Sequence, residues 1–205
     1  LRQSPAGRYD ALELTPEYIK SIEEICHQWG GYIDGPDMFD PTVFGMSRIE
    51  ASATDPQQRL ILEVAWEALE NACEAPEQLA GTRTGVFVGL STFDYALFQG
   101  AFDPFGEHIT PFSAAGVAHC IAANRISYML DLRGPSLAID TACSSSSTAM
   151  HMALRSLQHG ECDAAIVCGA NLIMTPYITK GFKRARMLAK DGLVKCFDEK
   201  TDGYV

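Results

Sequence analysis

Residues 140–147, DTACSSSS, place a thiol where its surroundings can make it react. Cys143 follows the apolar run Leu137-Ala138-Ile139 and precedes four serines, Ser144 to Ser147. The apolar run reads as the end of a buried strand. Residues 145–159 read as a helix, with Met150, Leu154 and Leu157 on one face. Cys143 therefore falls at a strand-to-helix turn, just before a helix N-terminus. Free backbone N–H groups and the positive end of the helix dipole favour a thiolate there. The same groups can hold the oxyanion formed when sulfur attacks an acyl carbonyl. The small hydroxyl residues are expected to cap the helix start and to let the backbone come close to a substrate. Against this stands the plain alternative that Cys143 is a small buried residue, as cysteines commonly are.

Other chemistries find little support. Cys26, Cys73, Cys120, Cys143, Cys162, Cys168 and Cys196 are an odd number, widely spread, with no C-x-x-C pair. They read as reduced cysteines in a cytosolic setting, not as a disulfide scaffold. Cys120 and Cys168 sit in apolar contexts and read as structural, and His119-Cys120 as a half-buried core pair. The five histidines, His27, His108, His119, His151 and His159, form no zinc-binding pattern, so no metal is expected. Gly89-Leu90-Ser91-Thr92-Phe93 lacks the last glycine of a serine-hydrolase elbow. No phosphate-binding loop or dinucleotide fingerprint occurs, so nucleotide binding is not indicated. A net charge of −10 argues against nucleic acid and anionic membranes as partners. The local basic cluster Lys180, Lys183, Arg184 and Arg186 reads as a solvated turn or helix face, with a phosphate or an acidic carrier as the alternative. No run is long enough to span a bilayer and no secretory signal opens the chain, which points to the cytoplasm. Leu1 stands where a start methionine would, so a targeting segment upstream stays open.

The elements that must position the thiol follow from periodicity. The first fifty residues are irregular, with turn signals around Gly30, Gly35 and Pro41 and a short helix over 16–28, capped by Thr15. Asp55 and Pro56 open a longer helix, with Gln58 placed to reach back as a capping box. Leu60, Ile61, Val64, Ala65, Ala68, Leu69 and Ala72 recur at spacings of three and four along it. Residues 84–90, 135–141 and 163–170 are short apolar runs that read as buried strands, and 114–127 as a helix. Strands alternating with helices define an α/β fold with a parallel or mostly parallel sheet covered on both faces.

GPSLAIDTACSSSS (residues 134–147) closely resembles the active-site segment of β-ketoacyl synthases, especially the ketosynthase domains of type I polyketide synthases. The segments 39–72, 81–89, 123–147, 160–176 and 187–205 resemble that family too, in family order. The resemblance implies a thiolase-like fold, layered α-β-α-β-α, of which residues 1–205 make up a partial domain. The first strand and the C-terminal half would be missing, and residues 1–50 would form an irregular leading region. It implies a condensing acyltransferase of polyketide biosynthesis, in which Cys143 accepts an acyl chain and its backbone N–H is one oxyanion donor. The acyl-enzyme then condenses with a malonyl-type extender, with loss of carbon dioxide, to give a β-ketoacyl thioester. No cofactor would be bound directly, because substrates ride on the phosphopantetheine of an acyl carrier protein. Further implied partners are the neighbouring synthase domains and a second copy, joined through the strand between Pro135 and Thr141. The family's two catalytic histidines stand in H-G-T-G-T and N-x-G-H segments, and none of the five here has such neighbours. Residues 1–205 alone would then not condense substrates. A ketosynthase of fatty-acid or polyunsaturated-fatty-acid synthesis, or a non-catalytic partner with the same fold, are the alternatives.

Overall fold

The computed structural model describes residues 2–3 and 29–205, so the expected helix over 16–28 lies outside the described residues. The chain divides into two compact units, Pro36–Leu172 and the pair Leu1–Gly35 with Ile173–Val205. The smaller unit starts with a short antiparallel ladder between β1 (Arg2–Gln3) and β2 (Trp29–Gly30).

The larger unit contains α1 (Arg48–Ala53), α2 (Pro56–Asn71), a 3-10 turn (Pro76–Leu79), β3 (Thr84–Gly89), α3 (Asp94–Phe102), α4 (Ser113–Val117), α5 (His119–Met129), β4 (Ser136–Ile139), α6 (Ser145–Gln158) and β5 (Ala164–Gly169). The three strands form one parallel sheet in the order β4-β3-β5, with Gly89 of the central strand paired to Ile139 on one side and Gly169 on the other. This is the expected α/β class, and each strand is one to three residues shorter than its apolar run.

β3 is buried along its whole length and alternates its side chains between two cores. Val86 and Val88, with Ile166 and Cys168 of β5, meet Ile61, Leu62 and Ala65 of α2 and Ala122, Ala123 and Ile126 of α5. Phe87 points the other way, against Ala149 and Ala153 of α6. Two alanines, not the larger side chains, form the contact face of α6 and let it lie close to the sheet. Met150, Leu154 and Leu157 lie on its outer face, 65%, 52% and 38% exposed.

Several local expectations are corrected by tertiary contacts. The buried face of α2 runs through Gln58, Ile61, Leu62, Ala65 and Leu69, while Val64 is exposed. Gln58 does not close a capping box. Its amide donates instead to the carbonyls of Gly116 (2.9 Å) and Ala118 (3.1 Å). Those acceptors are available because the helix expected over 114–127 is two helices, broken where Ala118 takes an extended conformation (φ −75°, ψ 120°). Asp55 does cap α2, accepting from Gln57 N–H at 2.8 Å. Arg125 of α5 ties these pieces together, donating to Glu50 Oε1 (2.7 Å), Gln58 Oε1 (3.0 Å) and Thr54 Oγ1 (3.3 Å).

The chain then returns to the smaller unit with α7 (Pro176–Arg184), which follows Thr175 and starts on a proline that needs no N–H partner there. It ends where Arg186 takes a left-handed turn (φ 57°) and Met187 N–H closes on Phe182 O at 2.9 Å. The basic cluster thus lies on the last turns of α7, with Lys183, Arg184 and Arg186 exposed. Phe182 meets the Tyr204 ring edge-on at 5.4 Å, and Lys195 bridges Asp191 (3.0 Å) and Asp202 (2.6 Å).

Candidate active site

Cys143 lies between β4 and α6, at the carboxyl end of the sheet, and is exposed. Ligands of open parallel sheets gather at that end. The turn that presents the thiol is tight and heavily tied. Ala142, just before the cysteine, is held in the left-handed region (φ 54°), a conformation that costs a non-glycine residue roughly 1–2 kcal/mol. Its neighbours supply the restraint. Asp140 Oδ1 accepts from Ala142 N–H at 3.0 Å. Ser145 Oγ accepts from Thr141 N–H (3.0 Å) and donates to Ala142 O (2.6 Å). Ser144 Oγ donates to Thr141 O at 2.8 Å, and Thr141 Oγ1 meets Thr148 Oγ1 at 2.9 Å, one helical turn on.

These bonds correct the expectation that the serines cap α6. Ser144 is the N-cap residue, yet its side chain makes no cap hydrogen bond. The hydroxyls of Ser144 and Ser145 are spent on the turn, and so are their N–H groups, which donate to Thr141 O (3.3 Å) and Ala142 O (3.0 Å). Among the described residues, the Cys143 N–H has no protein acceptor. An exposed sulfur, a free N–H on the same residue and the positive end of a fourteen-residue helix thus meet at one turn.

Two glycines that sequence reasoning passed over make this approach possible. A Cβ on Gly89, the last residue of β3, would stand 2.6 Å from Ser146 N and 2.7 Å from Ser145 C. A Cβ on Gly169, the last residue of β5, would run into the Ser146 hydroxyl. The first turn of α6 is therefore seated on bare backbone at the ends of two neighbouring strands. The signal was present as a glycine closing each of the apolar runs VFVG and IVCG.

A second buried polar group stands beside these loops. Gln57 and Gln58 are buried, and Asp55 with them. Burial raises the Asp55 carboxyl above its ordinary 3.8, against the opposing pull of the Gln57 hydrogen bonds and the nearby His119 and Arg59. His119 Nε2 lies 3.0 Å from Thr92 O, and its ring stacks on Phe93 with centroids 5.8 Å apart. His119 is half-buried as expected, but Cys120 is exposed and not a core residue. Cys168 matches its structural reading: burial pushes its thiol up to about 11. Among the described residues no group of three His, Cys, Asp or Glu could hold a metal ion, and no helix is long and apolar enough to cross a membrane.

The parallel α/β sheet with a cysteine at the turn before α6 is shared with ketosynthase structures, and the fold is thiolase-like. Residues 2–205 match the family model described as "Beta-ketoacyl synthase, N-terminal domain", and the chain belongs to that family. It is 44% identical over 201 residues to polyketide synthase ThaG of Burkholderia thailandensis, covering 98% of this chain and 4% of that protein. It is 40% identical over 205 residues to a phenolphthiocerol/phthiocerol polyketide synthase protein of Mycobacterium tuberculosis, covering 100% of this chain and 11% of that one. Among solved structures, the ketosynthase from module 6 of the Bacillus subtilis bacillaene synthase superposes with a TM-score of 0.75 at 35% identity, over 85% of this chain and 29% of that one. The oxazolomycin ketosynthase domain OzmH KS7 of Streptomyces albus gives 0.76 and 38%, over 86% and 30%. The chain thus spans a small part of each relative.

Proposed function

We propose that these residues are the N-terminal portion of a ketosynthase domain of a polyketide synthase, and that Cys143 is its acyl-accepting nucleophile. The observation that carries the reading is the exposed Cys143, its own N–H without an acceptor among the described residues, on a turn held by Asp140, Ser144 and Ser145. In the first stage the Cys143 thiolate attacks the thioester carbonyl of an acyl chain on a carrier's phosphopantetheine. The Cys143 N–H supports the resulting oxyanion. The carbon–sulfur bond to the carrier then breaks, and the departing thiolate takes up the proton that Cys143 gave up. In the second stage a malonyl-type unit on a carrier loses carbon dioxide, and its carbanion attacks the acyl-Cys143 carbonyl. The β-ketoacyl product leaves on the carrier and Cys143 regains its thiolate. Sulfur suits both stages because it is a good nucleophile and a good leaving group. No directly bound cofactor is required. The histidines that assist decarboxylation would come from segments beyond these 205 residues.

The carrier protein and the adjoining synthase domains are the partners this reading calls for, in the cytoplasm. A second copy is a further partner. β4 is an edge of its sheet, with Leu137 42% exposed, which supports pairing of two chains along that strand.

The test is acyl labelling of the full-length protein from an N-acetylcysteamine thioester, with the modified residue located by peptide mass spectrometry. The expected result is one acyl group on Cys143, lost in Cys143→Ala. Absence of label in the wild type, or equal labelling of the variant, overturns the reading.

A further inference from the structure

We infer that Gln57 is a positioning residue for the Cys143 elbow, an inference that rests on the reading of Cys143 as the acylated nucleophile. Gln57 is the second residue of α2 and its side chain is buried. Its amide uses every hydrogen-bonding capacity it has. Nε2 donates to Thr92 O at 2.9 Å and to Asp55 Oδ2 at 3.3 Å. Oε1 accepts from Thr92 Oγ1 at 3.0 Å and from Leu172 N–H at 3.2 Å. Thr92 lies three residues past Gly89, and Leu172 three residues past Gly169. Those two glycines are the ones whose bare backbones seat Ser145 and Ser146. One buried amide therefore joins the loops leaving β3 and β5, whose roots form the seat of the first turn of α6. Thr92 is reinforced from a further side by His119 Nε2 at its carbonyl, and its single hydroxyl proton is shared between Gln57 Oε1 and Asn171 Oδ1 at 3.1 Å. Cys143 is two residues before the start of α6, so the spacing of the two loops fixes where sulfur and its N–H stand.

Gln58 supplies a matched comparison. It is adjacent and equally buried, but its amide serves the 115–118 loop and Arg125 and reaches neither strand-end loop. Both residues hold the fold; only Gln57 holds the seat.

The experiment measures the acylation rate of Cys143 in the full-length protein with a saturating N-acetylcysteamine acyl thioester, well below the unfolding transitions. Thermal midpoints are recorded for each variant. Gln57→Leu keeps the side chain's size and removes its polar atoms, and its acylation rate is expected to fall by about tenfold or more with KM little changed. Gln58→Leu is expected to lose comparable thermal stability and to acylate at the wild-type rate. In Gln57→Glu the carboxylate cannot donate to Thr92 O. Its rate relative to wild type at the same pH should be low near neutrality and recover as acid protonates the carboxyl. Equal acylation losses in the two leucine variants, or wild-type acylation in Gln57→Leu, overturn the inference. Should Gln57→Leu not fold, Gln57→Glu decides: a recovering ratio supports positioning and a flat one refutes it. If wild type takes no acyl group on Cys143, the functional reading itself has failed, and that outcome is separate from the others.

Discussion

Replacing Gly89 by alanine adds one methyl group at the point where the sheet and α6 touch. The new Cβ would lie 2.6 Å from Ser146 N, 2.7 Å from Ser145 C and 2.8 Å from Ser146 Cα. Ordinary contact between such atoms is ~3.5 Å, so the start of α6 must retreat by about 0.9 Å. All three neighbours are backbone, so no side-chain rotation relieves the clash. The overpacking should cost about 1–3 kcal/mol of stability. The functional effect should be larger in proportion, since a displacement near 1 Å at reacting groups costs up to about a hundredfold in rate. Gly89→Ala in the full-length protein is therefore expected to acylate Cys143 at least tenfold more slowly, about 1.4 kcal/mol in barrier, while remaining folded. Gly100→Ala is the control. It sits within α3 with nothing inside 4 Å of its added Cβ, and should gain about 0.5–1 kcal/mol without changing acylation. The assay is the rate of acyl-enzyme formation followed by intact-protein mass, alongside thermal unfolding of each variant. If Gly89→Ala loses stability yet acylates as wild type does, the helix start slides without carrying Cys143, and the seat has no bearing on its acylation.

Arg125→Met removes a guanidinium whose side chain is 13% exposed and leaves Glu50, Gln58 and Thr54 without that donor. Urea unfolding should show a loss of about 2–3 kcal/mol at unchanged slope, and a loss under about 0.5 kcal/mol would mean solvent replaces the pair at no cost. Cys168 offers a test by pH. Burial raises its thiol to about 11, so the neutral form is favoured and only about one molecule in a thousand is thiolate at pH 8. Iodoacetamide at pH 8 should spare Cys168 while labelling the exposed Cys73, with Cys168 modification rising only as the pH approaches 11. Equal labelling of the two at pH 8 would contradict the burial argument.

The parts of this fold that local pattern could reveal are those in which neighbours in sequence are also neighbours in cause. The three strands were legible because each is a short apolar run. α6 was legible as a helical pattern after Cys143, and it closes at Gly160, which takes a left-handed turn (φ 69°). The ends of α2 and α5 carry the same turn at Cys73 (φ 56°) and Asp131 (φ 52°), residues that do not announce it. α1 and α3 were missed, since α1 is six residues long and α3 follows a phenylalanine that makes no side-chain cap.

The candidate site divides along the same line. Cys143 and its turn lie within eight consecutive residues, so the strand-to-helix context that the proposal for Cys143 builds on could be read. What holds the turn in place cannot be read that way. Gln57 bonds to Leu172 across 115 residues and to Thr92 across 35, and the seat for Ser146 comes from glycines on two other strands. The same long-range contacts explain why DPQQ read as a capping box and is not one. Its second glutamine faces the 115–118 break and its first faces the strand-end loops, so neither amide is free to turn back on its own helix. A candidate nucleophile can be read from its neighbours in the chain, but its position is set by residues that meet only when the sheet has formed.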